Sequence, residues 1–331
     1  MQVTRAETAQ IKKNTPKGVT IQSMCSTDTE DVKATVAQVR ALEKEGCELI
    51  RVAVPTEKAA KALSKIKKKM TVPLIADIHF NPKLAILALE NGADKIRINP
   101  ENIGDKKELK KIALAAKKHG AKIRIGFNEG SRGTENLAKT AKTWIKFFEK
   151  IPFTDLVISV KSSSVRKTIE ANRALKDCGY PLHIGVTEAG TRETGAIRSA
   201  IAVGSLLADG IGDTIRISLA ADPVEEVKVA KKILDALDIR KLPLRIIACP
   251  TCGRTKADVW AAAEKLERDL RPKNPLVVAI LGCGVNVIGE SKGADYTLVG
   301  VDKSHFTLLK GRKPVMKKAT YEEIFKYLKE L

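Results

Sequence analysis

Cys249 and Cys252 stand in Cys-Pro-Thr-Cys, and further along come Cys283 and Glu290 in Gly-Cys-Gly-Val-Asn-Val-Ile-Gly-Glu. Three thiols and one carboxylate make an incomplete thiolate cage finished by an oxygen donor. Soft thiolates suit the irons of an iron-sulfur cubane, whereas a carboxylate on the fourth iron is harder and more easily displaced by a substrate oxygen. The set therefore points to reductive chemistry at one open corner. The same cysteines with His305 as fourth ligand would instead make the Cys3His set of a structural zinc knuckle. Spacing alone leaves both readings open, because one CxxC with a distant third cysteine serves either metal.

A second constellation lies earlier in the chain. Four β-branched runs each carry an arginine: Ile50-Arg51-Val52, Ile96-Arg97-Ile98, Ile123-Arg124-Ile125 and Ile215-Arg216-Ile217. Side chains alternate faces along a strand, so each arginine points away from its apolar neighbours. Guanidinium groups gathered on one axis repel one another unless an anion joins them, and their forked donors match phosphate oxygens. A diphosphate would satisfy them; pairing of each arginine with a local acid is the structural alternative. Polar residues cluster at the expected C-terminal strand ends: Asp77 and His79 in Ala-Asp-Ile-His-Phe, then Asn99, Asn128, Lys161, Glu188 and Ser218. His79 and Glu188 are candidates for proton transfer, with helix capping as their plainer role.

The elements that must position these residues follow a rhythm. Strand patterns at Val19 to Met24, Leu49 to Val54, Pro73 to Asp77, Lys95 to Asn99, Lys122 to Phe127, Asp155 to Val160, Leu182 to Thr187 and Thr214 to Leu219 alternate with helical stretches. Eight such units with hardly any hairpin signal predict a (β/α)8 TIM-type barrel, an α/β fold, with an open doubly wound sheet as the alternative. The last barrel helix is expected from about Val224 to Leu237, and Lys241-Leu242-Pro243 marks a boundary. Domains are thus expected at 1–240 and 241–331. The second, a small α/β module, carries all the candidate cluster ligands, with apolar runs at Leu244 to Ala248, Leu276 to Leu281 and Tyr296 to Val301.

Composition narrows the partners. Met1 to Gly18 has no apolar segment behind it, and Arg198, Ser199 and Asp209 interrupt the run from Ala196 to Ile211, so neither signal nor membrane span is expected and the reading is cytoplasmic. Six cysteines outside a secretory context argue for reduced thiols or ligands, with Cys25, Cys47 and Cys178 as bystanders. The formal net charge of +20 is concentrated in amphipathic stretches such as Lys58 to Lys69 and Lys106 to Lys118. Aromatics are only 4% of residues, and no basic-aromatic recognition motif accompanies the charge, which disfavours nucleic acid. Small anions and acidic electron carriers remain suitable partners.

Taken together, these segments resemble the 4-hydroxy-3-methylbut-2-enyl diphosphate synthase family, also called IspG or GcpE. The likeness rests on Ile21-Gln22-Ser23-Met24 with Thr27-Asp28-Thr29, Glu48 to Pro55, Ala76 to Phe80, Arg97 to Gly104, Arg124 to Ser131, Gly185 to Gly190, Gly210 to Leu219, Cys249 to Arg254 and Cys283 to Glu290. It implies an iron-sulfur oxidoreductase that reductively opens and dehydrates 2-C-methyl-D-erythritol 2,4-cyclodiphosphate in the non-mevalonate isoprenoid pathway. By resemblance, Cys249, Cys252, Cys283 and Glu290 hold a 4Fe-4S cluster, and Glu290 gives way to a substrate oxygen. Arg51, His79, Arg97, Arg124, Asn128, Lys161, Arg216 and Ser218 hold the diphosphate, with Asp77 and Glu188 beside the reacting carbons. The resemblance also implies a ferredoxin or flavodoxin donor and a head-to-tail homodimer with two composite sites.

Three departures from the family pattern stand out. Asn286-Val287-Ile288-Gly289-Glu290 replaces Asn-Gly-Pro-Gly-Glu, Glu101 takes a glycine position beside a phosphate site, and Cys25-Ser26 replaces Thr-Asn. Glu101 should repel a diphosphate unless it turns outward or pairs with a base. The alternatives are a divergent iron-sulfur reductase for another anion, a zinc-stabilised nucleic-acid-binding protein, and a cofactor-free barrel lyase or aldolase using Lys161 or Glu188.

Overall fold

The computed structural model describes residues 18–129 and 136–331, which leaves the opening stretch Met1 to Lys17 and the Gly130-Ser131 end of one family segment outside the described residues. The chain divides into two compact units, the first ending at Arg240 and the second spanning Lys241–Leu331.

In the first unit, β1 (Thr20–Met24), β2 (Leu49–Ala53), β3 (Leu74–Asp77), β4 (Lys95–Ile98), β5 (Lys122–Asn128), β6 (Leu156–Lys161), β7 (His183–Ile184) and β8 (Thr214–Ile215) form one sheet in the order β6-β5-β4-β3-β2-β1-β8-β7. Every pairing is parallel, and a further bridge between Ile158 and Leu182 joins the two ends into a barrel. The β-branched residues that flank the arginines explain the direction of the side chains. Ile50, Val52, Ile96, Ile98, Ile123 and Ile125 are fully buried in the hydrophobic core. Each such burial contributes roughly 1.5–3 kcal/mol relative to exposure, so period two fixes the alternate residues on the barrel's inner face.

Turn chemistry at the strand ends is equally local. Thr56, Asn81, Asn99 and Ser164 follow strands β2, β3, β4 and β6 and cap the next helices, Glu57–Lys67, Pro82–Glu90, Pro100–Ile103 and Val165–Arg173, each accepting a backbone N–H. Such caps start a helix within a few residues of the strand and hold the intervening loop short. Strands β7 and β8 are shorter than their sequence runs suggest. Gly185 leaves the strand at φ 154°, where a Cβ would sit 2.2 Å from the Arg216 carbonyl oxygen, so this departure from the ladder is open only to glycine.

The second unit holds a five-stranded sheet in the order β13-β12-β11-β10-β9. Here β9 (Leu244–Ala248), β10 (Leu276–Leu281) and β11 (Tyr296–Asp302) run parallel, while β12 (His305–Lys310) and β13 (Lys313–Thr320) are antiparallel additions. Val259, Leu266, Val278, Ile280, Leu298, Leu308, Ile324 and Leu328 form its core. The closing helix Tyr321–Glu330 starts with a reciprocal capping box between Thr320 and Glu323. No helix among the described residues is long and apolar enough to cross a membrane.

Candidate active site

Register brings the first unit's polar residues to one level. Asp77 pairs across with Arg97, Arg97 with Arg124, and Asn128 with Lys161, and neighbours in a parallel ladder point to the same face. The result is a cavity of about 110 Å³ lined by Arg51, Asp77, His79, Arg97, Arg124, Asn128, Lys161, Arg216 and Ser218, all singled out in the sequence. Gly126, Ser159 and Thr187 complete the wall. Gly126 and Ser159 each lie two residues from a recognised inward group, Arg124 and Lys161, so the same alternation was available to find them. Gly126 also makes room, since a Cβ there would stand 3.1 Å from Arg97 Nε.

Some of the arginines are paired with local acids. Asp77 Oδ1 accepts from Arg97 Nη1 at 3.3 Å, and its Oδ2 lies 3.9 Å from Arg51 Nε and 3.5 Å from His79 Nε2. Arg216 is paired with Glu226, a buried acid that strand periodicity does not reveal because it sits on the helix Pro223–Ala236. Arg124 forms no ion pair among the described residues; its Nη1 donates to Gln22 Oε1 at 2.8 Å, and its buried Nε finds no hydrogen-bond partner among the described residues. Arg51, Arg97, Arg124, Lys161 and Arg216 face two carboxylates, Asp77 and Glu226, which leaves a formal excess of three positive charges.

Titration directions register that excess. Burial alone would raise the Asp77 carboxyl, but Arg51, a hydrogen bond from His79 and Arg97 hold it well below the usual carboxylate range. Burial, then Arg124, Arg216 and Arg51, push the Lys161 ammonium well below an ordinary lysine. Burial, with Arg51 and Arg97 next, also pulls Arg124 down. A guanidinium keeps its proton in proteins, so for arginine this means stored repulsion, whereas a lysine responds by losing its charge. An anion with several oxygens is the ligand that relieves it.

Other expected residues lie elsewhere. Glu188 is exposed, at φ 52°, beside Thr187 but outside the cavity lining. That left-handed conformation is uncommon for a non-glycine residue and is a recurrent mark of functional loops. Asn99 caps the short helix Pro100–Ile103 by accepting from Glu101 N at 3.1 Å. Glu101 itself accepts from Trp144 Nε1, a neutral donor on the helix Leu137–Phe148, and does not line the cavity. Cys25 is buried, and burial with Cys47 nearby pushes its thiol up to about 12, which suits a packed bystander.

In the second unit, Ala248 pairs with Ile280, so Cys249 and Cys283 follow the same ends of adjacent parallel strands. Cys249 N donates to Ile280 O at 2.9 Å, Cys252 N to Thr255 Oγ1 at 3.0 Å, and Lys256 N to Gly282 O at 2.8 Å. The loops carrying the three thiols are thereby laced together. Gly282 permits this, since a Cβ there would meet Thr255 at 2.8 Å. Val287 and Ile288, which replace glycine and proline, form a helical turn, Val287–Glu290, a conformation that costs β-branched residues only a little side-chain freedom. Glu290 is exposed at its end. Among the described residues no three His, Cys, Asp or Glu groups are close enough together to bind a metal ion. The donor chemistry nevertheless fits an iron-sulfur cluster: three free, accessible or half-buried thiols on tied loops with a mobile-length carboxylate following. His305, the alternative zinc ligand, is held by Asp302 Oδ1 at 2.7 Å from its Nδ1.

Comparison with known proteins agrees with both units. Residues 4–231 match the GcpE TIM-barrel domain and residues 245–331 the GcpE protein C-terminal domain. The chain is 49% identical to the 4-hydroxy-3-methylbut-2-en-1-yl diphosphate synthase (flavodoxin) of Caldanaerobacter subterraneus subsp. tengcongensis, over 95% of this chain and 92% of that one. It is 45% identical to the protein of the same name from Fusobacterium nucleatum and 44% identical to that from Persephonella marina, each over 95% of this chain and 92% of the relative.

Proposed function

Because this chain belongs to the GcpE family, we propose that it is a 4-hydroxy-3-methylbut-2-en-1-yl diphosphate synthase that reductively opens and dehydrates 2-C-methyl-D-erythritol 2,4-cyclodiphosphate. The observation that carries the reading is the convergence of five cationic side chains on one small polar cavity. The reaction takes up two electrons and two protons and releases one water. Arg51, Arg97, Arg124, Lys161 and Arg216 bind the two phosphates, with His79, Asn128 and Ser218 supplying further donors. Fixing the charged end holds the carbon skeleton in a single orientation, which is the main contribution of such anchoring. Asp77 keeps Arg51 and Arg97 aimed into the cavity. His79, exposed at the rim and in contact with Asp77, is placed to deliver a proton, and Glu188 serves as a second polar group near the reacting carbons.

Cys249, Cys252, Cys283 and Glu290 are the residues proposed to hold a 4Fe-4S cluster, which when bound supplies the electrons one at a time. Glu290, the oxygen donor of the set, is its exchangeable ligand. Flavodoxin is the proposed donor, in keeping with the names of the relatives. The excess of basic residues suits an acidic carrier. The proposed location is the cytoplasm and the proposed assembly the head-to-tail homodimer that the family resemblance implies. Full turnover by a verified monomer would overturn that assembly.

The test is anaerobic purification with iron, sulfide and zinc determined, followed by incubation with the cyclic diphosphate and reduced flavodoxin. Iron, sulfide and formation of the hydroxylated allylic diphosphate are expected. A full cluster without product would favour a paralogue for another anion, and stoichiometric zinc would return the site to a structural role.

A further inference from the structure

Glu226 is a buried acid, only 4% exposed, held between three elements of the first unit. Its Oε2 accepts from Ser23 Oγ on β1 at 2.8 Å, and its Oε1 from the backbone N of Leu219, just beyond β8, at 3.1 Å. Arg216 meets the same carboxylate side-on, with Nε and Nη2 each 3.5 Å from an oxygen. A guanidinium engaged along that edge turns its remaining donors away from the carboxylate, here toward the cavity that Arg216 lines. Ser218, another lining residue, lies immediately before the Leu219 amide that Glu226 fixes. One carboxylate thus sets both a cavity arginine and the backbone carrying a cavity hydroxyl.

We propose that Glu226 is a positioning residue for the diphosphate, aiming Arg216 and Ser218 through these contacts; the proposal rests on the functional reading above. Aiming and simple neutralisation predict opposite signs. A carboxylate that merely cancelled charge beside five cations would oppose anion binding, so its removal would tighten the complex. Loss of aim weakens it, because a charge-assisted hydrogen bond is spoiled at each affected phosphate oxygen.

The test is Glu226→Gln, which keeps the shape of the side chain and removes its charge. KM for the cyclic diphosphate should rise about tenfold with kcat within about twofold, the pattern of lost uniform binding. Combined with Arg216→Lys, the second substitution should add little, since both act on one contact. An unchanged or lower KM, or fully additive effects, overturns the proposal. Iron content and thermal melting report whether the variant is intact, and Glu226→Asp, too short to reach all three partners, takes its place with the same expectations should Glu226→Gln fail to fold. Calorimetry with inorganic pyrophosphate separates the two readings. If the wild type binds it without turning over the cyclic diphosphate, a tenfold loss in Glu226→Gln still supports positioning while the functional reading falls.

Discussion

Binding of the cyclic diphosphate should draw a proton into the barrel, and the residue responsible is Lys161. Its ammonium is buried and shares the cavity with four arginines, which with burial displace its titration well below the ordinary lysine value. The arginines retain their protons at any accessible pH, so among the five cations the labile charge is the lysine's; His79, the other lining group able to take up a proton, is removed from the measurement by working in a His79→Gln background. A bound diphosphate places anionic oxygens among these donors and restores the favourable environment for an ammonium. Each phosphate of the cyclic ligand has one strongly acidic hydroxyl, so the ligand does not itself titrate between pH 7 and 9. Proton uptake by one group corresponds to about a tenfold loss of affinity per pH unit wherever the free site is deprotonated and the bound site protonated. Calorimetric titration of the oxidised protein, repeated at pH 7, 8 and 9 in buffers of different ionisation enthalpy, measures both quantities. Uptake of up to about one proton per site should accompany binding, and affinity should fall as pH rises. A flat affinity with no buffer-dependent heat across this range would refute the reasoning, and in Lys161→Met the pH dependence should vanish.

Three further outcomes follow from the same geometry. Gly185→Ala places a Cβ 2.2 Å from Arg216 O and 2.9 Å from Lys161 Nζ, so substrate affinity should fall at least about tenfold; an unchanged KM and melting temperature would contradict that spacing. Glu101→Gly removes the acceptor of Trp144 Nε1 and should cost about 1–2 kcal/mol of stability in denaturant titration, while KM stays within about twofold, because Glu101 does not line the cavity. A tenfold fall in KM would mean that Glu101 repels the ligand after all. Lys95 is buried, and burial with Arg124 and Lys122 nearby lowers it to about 8. Between that value and the unfolded lysine value of about 10.4 the unfolded Lys95 holds a proton that the folded one lacks, so the penalty this one residue places on stability shrinks as pH rises through the window. Lys95→Met should gain up to about 3 kcal/mol at pH 7, an advantage over the wild type that narrows as pH rises toward about 10.4; equal stability of the two proteins at pH 7 would refute it.

Much of this arrangement is legible in the chain because strand alternation is a local rule. An arginine between two isoleucines, as at Arg97 and Arg124, has only one direction in which to point once the isoleucines are buried, and eight strand runs in series, four of them with such an arginine, form the barrel. The second unit's β9 and β10 coincide with apolar runs for the same reason. The hairpin of β12 and β13 is harder to read, since Lys313–Thr320 is basic and largely exposed, with Lys313 and Lys318 in place of a continuous apolar stripe, and His305–Lys310 buries only Phe306 and Leu308. Glu226 escaped for a different reason. Two acids in the first turn of a helix, Glu225 and Glu226, read as complements to the helix dipole, and only tertiary structure brings Glu226 against Ser23, 203 residues away in sequence. The placement of Glu101 likewise depends on Trp144, 43 residues along, which no local pattern couples to it.

The central claim is that the cations inside the barrel are the seat of the diphosphate. The most direct measurement is a crystal structure of the oxidised protein with the cyclic diphosphate bound. Both phosphorus atoms are expected among Arg51, Arg97, Arg124, Lys161 and Arg216, with the free Arg124 Nε edge engaged and Glu226 still bonded to Ser23. Phosphates seated elsewhere, with these arginines left to Asp77, Gln22 and Glu226 alone, would contradict it.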